Sequence, residues 1–393
     1  MFCAQLEVGS SRRDQATAEG TGRGGNSAGE PSPSERRNSA AVAKTTAGPP
    51  RLPSQTVAVS SSVTPGSQVL VTGASGFVGR RLAPVLQAAG WRVRCLSRDA
   101  ATAARRWPQQ TWVEADLSSA DGLAQSLDGC QFAFYLVHSL GDGTAELVER
   151  ERARARAFAV AAERAGLERI VYRGGVAPQG SPSEHLRSRL EAGAALRAGN
   201  VPALELRAAM IVGYGSASWL IVRDLAARLP LMILPSWLRT SSQPIAIDDV
   251  VAALAAAAQL DDLRSSASYD LPGPDILTGR QILVETARAL GHRRVITIEV
   301  PVLSPSLSSH WVRLVTRADW SVARELVLGL THNLLARNAD YWKLIGHPAR
   351  LTFEAAARRA IDEERRSGHM ALSGRVLEVV AGGLAGGRAP GIR

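Results

Sequence analysis

The sequence predicts a doubly wound α/β domain built on a parallel sheet, and three observations predict it. A glycine turn, Gln68-Val-Leu-Val-Thr-Gly-Ala-Ser-Gly-Phe-Val-Gly-Arg80, joins a short apolar strand to a helix. Strand and helix patterns then alternate as far as Leu206. One strand, Phe132-Ala-Phe-Tyr-Leu-Val137, is almost wholly apolar, as a central parallel strand covered on both faces must be.

In the turn, Gly73 permits the sharp exit from the strand. Gly76 lets the backbone approach a pyrophosphate, and Gly79 lets the helix pack closely on the strand. Gly73, Ala74, Ser75, Gly76, Phe77, Val78 and Gly79 are therefore candidate cofactor contacts, with the helix dipole behind them favouring an anion. A strand-to-helix connection without a ligand would use glycines too. The strand before this turn and the helix after it favour a dinucleotide.

The remaining elements follow in order. Phe77 to Gly90 carries Val78, Leu82, Val85 and Leu86 at helical spacing, and Trp91 to Ser97 is the second strand. Thr111 to Ala115 is the third strand, with a helix from Ser119 to Leu127 behind it. After the fourth strand, a long helix covers Thr144 to Ala165 and stops at Gly166. Arg169 to Tyr172 is strand five, Ser183 to Ala198 a helix, and Ala203 to Leu206 strand six. This is a Rossmann-type doubly wound order.

The end of strand two selects the cofactor. An acid there binds the ribose hydroxyls of NAD, whereas an arginine suits the 2′-phosphate of NADP. The chain reads Leu96-Ser-Arg-Asp99, so Arg98 favours NADP, with NAD as the alternative and Asp99 free to cap the next turn.

Thr72-Gly-Ala-Ser-Gly-Phe-Val-Gly79 resembles the TGAxGxxG fingerprint of the short-chain dehydrogenase/reductase superfamily, in the spacing of its extended and atypical branches. Glu114-Ala-Asp-Leu117 is similar to the superfamily's adenine-contacting segment, which implicates Asp116 and Leu117. An Asp capping the following helix is the competing reading. Tyr135-Leu-Val-His-Ser-Leu-Gly141 resembles an atypical bacterial subgroup of NAD(P)H-binding, epimerase-like proteins, and the resemblance runs from about Val69 to Glu364. Val137 ends strand four, and His138 and Ser139 follow it at the sheet edge that holds ligands in such folds, or cap an ordinary loop.

The resemblance also implies a Tyr-x-x-x-Lys motif, and the chain lacks it. Its two lysines are Lys44 and Lys343, with Ala40 and Ala339 four residues earlier. Strand five continues into Arg173-Gly-Gly175, where the superfamily has a serine. Glu184-His-Leu-Arg-Ser-Arg189 is similar to the Tyr-Leu-Arg-Ser-Lys segment of NmrA-like members, placing His185 at the tyrosine and Arg189 at the lysine. Histidine is a competent general base, and a fixed cation one turn away would keep it neutral. The rival reading makes His185 a polar helix residue in a cleft that binds cofactor without turnover.

Composition bounds the rest. The chain has 393 residues, 45% of them hydrophobic, and a net charge of +10. Its arginines mingle with acids, as in Glu149 to Arg156, and no basic stripe alternates with aromatics. That reads as solvated helix faces and excludes nucleic acid as the expected partner. Cys95 and Cys130 read as buried thiols of a reducing, cytoplasmic compartment, and no Cys/His metal-ligand spacing occurs. Residues 1–66, poor in aromatics, read as a disordered tail. A twin-arginine signal without an apolar region, an acidic transit peptide and an upstream-extended reading frame stand side by side there.

Residues 67–300 form the dinucleotide domain with a small substrate lobe. Pro244 to Val250 reads as a strand entering a helix, and Trp219 to Leu238 as a helix and loop lining an apolar cleft. The charges Arg223, Asp224 and Arg228 interrupt that run, which falls short of the ~20 apolar residues of a membrane span. Residues 301–366 form a helical extension with Trp311, Trp320 and Trp342, which packs on the main domain or presents a surface to a protein partner. The glycine-rich end, 367–393, reads as a mobile tail. Two functions fit: an oxidoreductase or epimerase moving hydride to or from a small-molecule carbonyl or hydroxyl, or a catalytically silent NAD(P)-bound sensor or assembly factor.

Overall fold

Short apolar strands separated by alanine-rich helices can bury both strand faces by pairing edge to edge with helices above and below. The computed structural model, which describes residues 66–137, 145–228, 231–260, 264–292, 295–300 and 332–367, has this arrangement. Those residues all belong to the unit Thr56–Arg393. Of the tails expected at 1–66 and 367–393, all but Gly66 and Ser367 lie outside the described residues, as do Trp311 and Trp320.

The first half alternates strictly. Its strands are β1 (Gln68–Val71), β2 (Arg92–Ser97), β3 (Thr111–Glu114), β4 (Phe132–Tyr135), β5 (Arg169–Gly175) and β6 (Ala203–Ala208). Its helices are α1 (Gly79–Ala88), α2 (Ala100–Arg106), α3 (Ala120–Leu127), α4 (Ala145–Arg164) and α5 (Glu184–Arg197). With β11 (Ala267–Asp270) they make a seven-stranded parallel sheet in the order β11-β6-β5-β4-β1-β2-β3. The strand order reverses between β1 and β4, so the carboxyl ends of these two strands open the crevice where such folds bind ligands.

Alternation along each strand feeds two cores. Val69, Val71 and Phe134 pack with Leu82 and Leu86 of α1 on one face. Leu70, Tyr135 and Ile170 pack with Phe158 of α4 and Leu196 of α5 on the other. Val85 departs from its expected place: Leu82 and Leu86 are fully buried, whereas Val85 is 41% exposed. The apolar stripe of α1 is narrower than the sequence suggested.

A smaller lobe follows. β7 (Ile211–Val212) pairs with β10 (Ile245–Ala246), and β9 (Ser241–Ser242) pairs with β12 (Leu277–Thr278). The run read as helix and loop is α6 (Ala217–Arg228) followed by a strand, β8 (Leu231–Pro235), which pairs in parallel with β13 (Ile296–Val300). Helices α7 (Ile247–Ala257), α8 (Gly279–Ala289), α9 (Asp340–Leu344) and α10 (Phe353–Arg366) complete the described chain. Trp342 is buried, its indole donating to the Pro272 carbonyl at 3.0 Å, and the Tyr341 hydroxyl donates to Ala253 O at 2.9 Å. These bonds tie α9 to α7 and to the loop after β11. Among the described residues no helix is long and apolar enough to cross a membrane.

Candidate cofactor and substrate site

The glycine turn sits at the carboxyl end of β1, held against β4. Thr72 is fully buried; its hydroxyl donates to Phe134 O at 3.1 Å and accepts from the Leu136 amide at 3.1 Å. Gly73 has φ +63°, and a Cβ there would lie 3.0 Å from the Leu136 carbonyl. At Gly79 a Cβ would come within 2.7 Å of Ala74 Cα and closer still to Gly73 O. Both glycines are required by backbone packing alone. Gly76 is different. Gly76 and Ser75 are exposed, and the single neighbour of a Gly76 Cβ would be Gly73 O at 3.0 Å. The rest of that face is open for a group to approach the backbone.

The start of α1 is equally uncommitted. Its N-cap, Val78, offers no side-chain cap, and no acid lies in the first turn. The Arg80 and Arg81 amides bond to Gly76 O at 3.2 Å and Val78 O at 3.1 Å, while no side chain competes for the positive end of the dipole, which favours an external anion such as a pyrophosphate. Ala74 and Val78 are buried beneath the turn, and Phe77 is half-buried against Gly213. A nicotinamide dinucleotide fits this cradle.

At the adenosine end, Arg98 is exposed. The Asp99 carboxylate accepts the Thr102 amide at 2.8 Å and caps α2, a helix the sequence reading had not placed. This bond holds the Asp99 carboxyl below the usual carboxylate range. Asp116, also exposed, accepts the Ser118 amide at 2.7 Å. Ser119, rather than Asp116, caps α3. Leu117 is buried in the core with Leu123 and Leu127. Val137 is half-buried beside Gly73, and His138 and Ser139 lie outside the described residues.

His185 and Arg189 both lie on α5, one turn apart, but face different tasks. Ser183 caps the helix, its hydroxyl accepting the Leu186 amide at 3.3 Å. His185 is half-buried in the first turn. Burial depresses its pKa, while the Glu151 carboxylate opposes the shift. A neutral imidazole was expected, with Arg189 as the cause; desolvation is the cause instead. The Arg189 guanidinium is turned to the end of β5, donating to Gly174 O at 2.7 Å and Arg173 O at 3.2 Å. It holds strand to helix.

Glu151 was missed by reading residues 149–156 as a solvated face. It is 3% exposed on the buried stripe of α4 that includes Leu147, Val148, Ala155 and Phe158, and it pairs with Arg154 at 2.9 Å. The helical spacing of that stripe was present in the sequence and could have found it. Tyr135, at the end of β4, is fully buried with no hydrogen-bond partner for its hydroxyl. Cys95 and Cys130 are buried thiols, and burial pushes Cys95 up to about 12. Among the described residues no group of side chains could hold a metal ion.

Residues 73–224, from the glycine turn to α6, match a family described as NAD(P)H-binding. A ceramide reductase of Caulobacter vibrioides is 33% identical over 191 residues, or 48% of this chain; the chain spans 60% of that relative's length. The fold is shared with the Citrobacter sp. triphenylmethane reductase complexed with NADP(H), with a TM-score of 0.59, 17% identity, and 75% and 99% of the two chains covered. It is shared too with MoeE5 in complex with UDP-glucose and NAD, with a TM-score of 0.58, 21% identity, and 77% and 99% covered. Residues 73–224 thus resemble an NAD(P)H-binding family, and the fold of the chain is one that solved reductases and nucleoside-diphosphate-sugar epimerases share.

Proposed function

We propose that the chain is an NADPH-dependent reductase acting on a carbonyl carried by an apolar substrate. The observation that carries the reading is the open face of Gly76 at an uncapped helix start, at the switch point of the sheet. The choice of NADP over NAD is supported by Asp99, whose carboxylate is taken up by α2 while Arg98 stays exposed. The apolar substrate is supported by the similarity to a reductase named for ceramide. Val176 and Ala177 after β5, and Ala209 and Met210 after β6, add apolar residues at the same sheet edge.

Reduced nicotinamide, when bound, supplies a hydride to the carbonyl carbon. The chain's part is to hold the cofactor against the β4 edge and to exchange the proton at the substrate oxygen. His185 is the residue assigned to that exchange. As imidazolium it gives its proton to the oxygen during reduction; as neutral imidazole it takes the hydroxyl proton in the reverse direction.

Binding is tested by titrating the purified protein with NADPH and NADH. Tighter binding of NADPH, with the preference lost in Arg98→Ala, is expected; equal affinity in the wild type would sink the NADP assignment. A silent NADPH-binding sensor would bind equally well and turn nothing over, so a screen of long-chain ketones separates the two functions.

The proton step predicts a pH dependence. The His185 pKa lies below the ordinary histidine range, so the acid form is lost early as pH rises. Reduction should therefore fall as pH climbs through that lowered value, and alcohol oxidation should rise through it and level off. The profile should vanish in His185→Ala. A wild-type profile that survives this substitution would remove His185 from the chemistry.

A further inference from the structure

We infer that Asn333 is a positioning residue of the active site, and that the segment 332–337 is the strap that sets the entry to α5. The inference rests on the role given to His185 in the preceding reading. The strap lies far beyond residue 224, where the family match ends.

Its bonds run across the carboxyl edge of the sheet. The Asn333 carbonyl accepts the Gln179 amide at 3.3 Å, and the Asn333 side-chain amide donates to Gln179 Oε1 at 3.5 Å. Asn333 Oδ1 accepts the Ser241 amide of β9 at 2.8 Å, and the Leu334 amide donates to Ser241 O at 2.9 Å. Further on, the Ala336 amide donates to Gln243 Oε1 and the Arg337 amide to Asp270 Oδ2, both at 2.8 Å. One asparagine therefore joins the β5–α5 loop to the substrate lobe, and the residues after it reach the end of β11.

The loop being clasped is the one that delivers His185. Gln179 and Gly180 stand a few residues before Ser183, the cap of α5. The His332 ring lies against Gly180: a Cβ there would sit 2.5 Å from His332 Cδ2 and 3.1 Å from Nε2, so the ring would have to turn away from the loop. A loop of small residues and prolines, Ala177-Pro-Gln-Gly-Ser-Pro182, has little packing of its own to fix its course. The strap supplies that constraint, and with it the angle at which the first turn of α5 presents His185. An offset of about 1 Å at such a group can cost about 10²-fold in rate.

The test compares wild type with Asn333→Ala, Asn333→Asp and Gly180→Ala in the full chain. Asn333→Asp keeps the acceptor for Ser241 and loses the donor to Gln179; Gly180→Ala drives a methyl into the His332 ring. Hydrogen exchange at the Leu186 and Arg187 amides, both bonded to Ser183, reports the first turn of α5. About tenfold faster exchange there is expected in Asn333→Ala and Gly180→Ala, with a smaller change in Asn333→Asp. NADPH affinity should be unchanged, because the glycine turn lies across the cleft, and kcat for a reduced ketone should fall while KM moves little. Acceleration confined to residues 332–337, with Leu186 and Arg187 at wild-type rates, would overturn the inference. If the wild type reduces no ketone, the proposed function fails alone, and the exchange rates still decide the role of the strap.

Discussion

Replacing Gly76 with aspartate is expected to weaken NADPH binding by two to three powers of ten, about 3–4 kcal/mol, while leaving the fold intact. A Cβ at this position meets Gly73 O alone, at 3.0 Å, so the side chain can be accommodated in the free protein by a small shift. What it cannot do is share the open face with a pyrophosphate. The carboxylate would stand where the phosphate charge belongs, at a helix start with no acid of its own. Fluorescence titration of the nicotinamide measures the loss, and a urea midpoint close to wild type shows that the fold survives. The contrast is Gly79→Ala, whose methyl would meet the Gly73 and Ala74 backbone at under 3 Å. That variant should lose stability and cofactor together. Retained binding in Gly76→Asp would remove the glycine turn from cofactor recognition.

The second large effect concerns the attachment of α10. Arg223 of α6 donates to Asp224 at 2.5 Å and, through Nε, to Glu364 of α10 at 2.8 Å. The three side chains are 5%, 0% and 4% exposed. Arg223→Met should cost about 3–5 kcal/mol at neutral pH, because two buried carboxylates lose the guanidinium between them. Urea unfolding at neutral pH measures this loss. Replacing all three groups by apolar side chains of similar volume should recover most of the loss. A stability within about 1 kcal/mol of wild type in Arg223→Met alone would show that other contacts hold α10.

The expectations that held and those that changed separate along a physical line. The glycine turn, the six strands up to Leu206 and, except for α2, the helices between them were legible because each is a local pattern. Period two or near-continuous apolarity marks the strands, period 3.6 the helices, and glycines their junctions. Helix α2 was missed because its seven residues, Ala100–Arg106, contain alanine and arginine without an apolar stripe. The strand β8 was hidden in an apolar run because its partner, β13, lies more than sixty residues away and periodicity does not encode pairing. At the site, Arg189 carried the expected spacing on α5, yet its guanidinium satisfies the β5 carbonyls. Spacing placed the residue; the acceptors that the fold brought nearest decided where its donors went.

By itself, then, the sequence determined the doubly wound sheet, the cofactor turn and the candidate imidazole, because these depend on residues close together in the chain. The tertiary structure alone decided the diversion of Arg189 to the backbone and the clasp of Asn333 on Gln179. Those outcomes depend on which polar groups meet after the elements pack. A buried donor or acceptor bonds whatever partner the fold brings within 3 Å, however far away that partner is in the sequence.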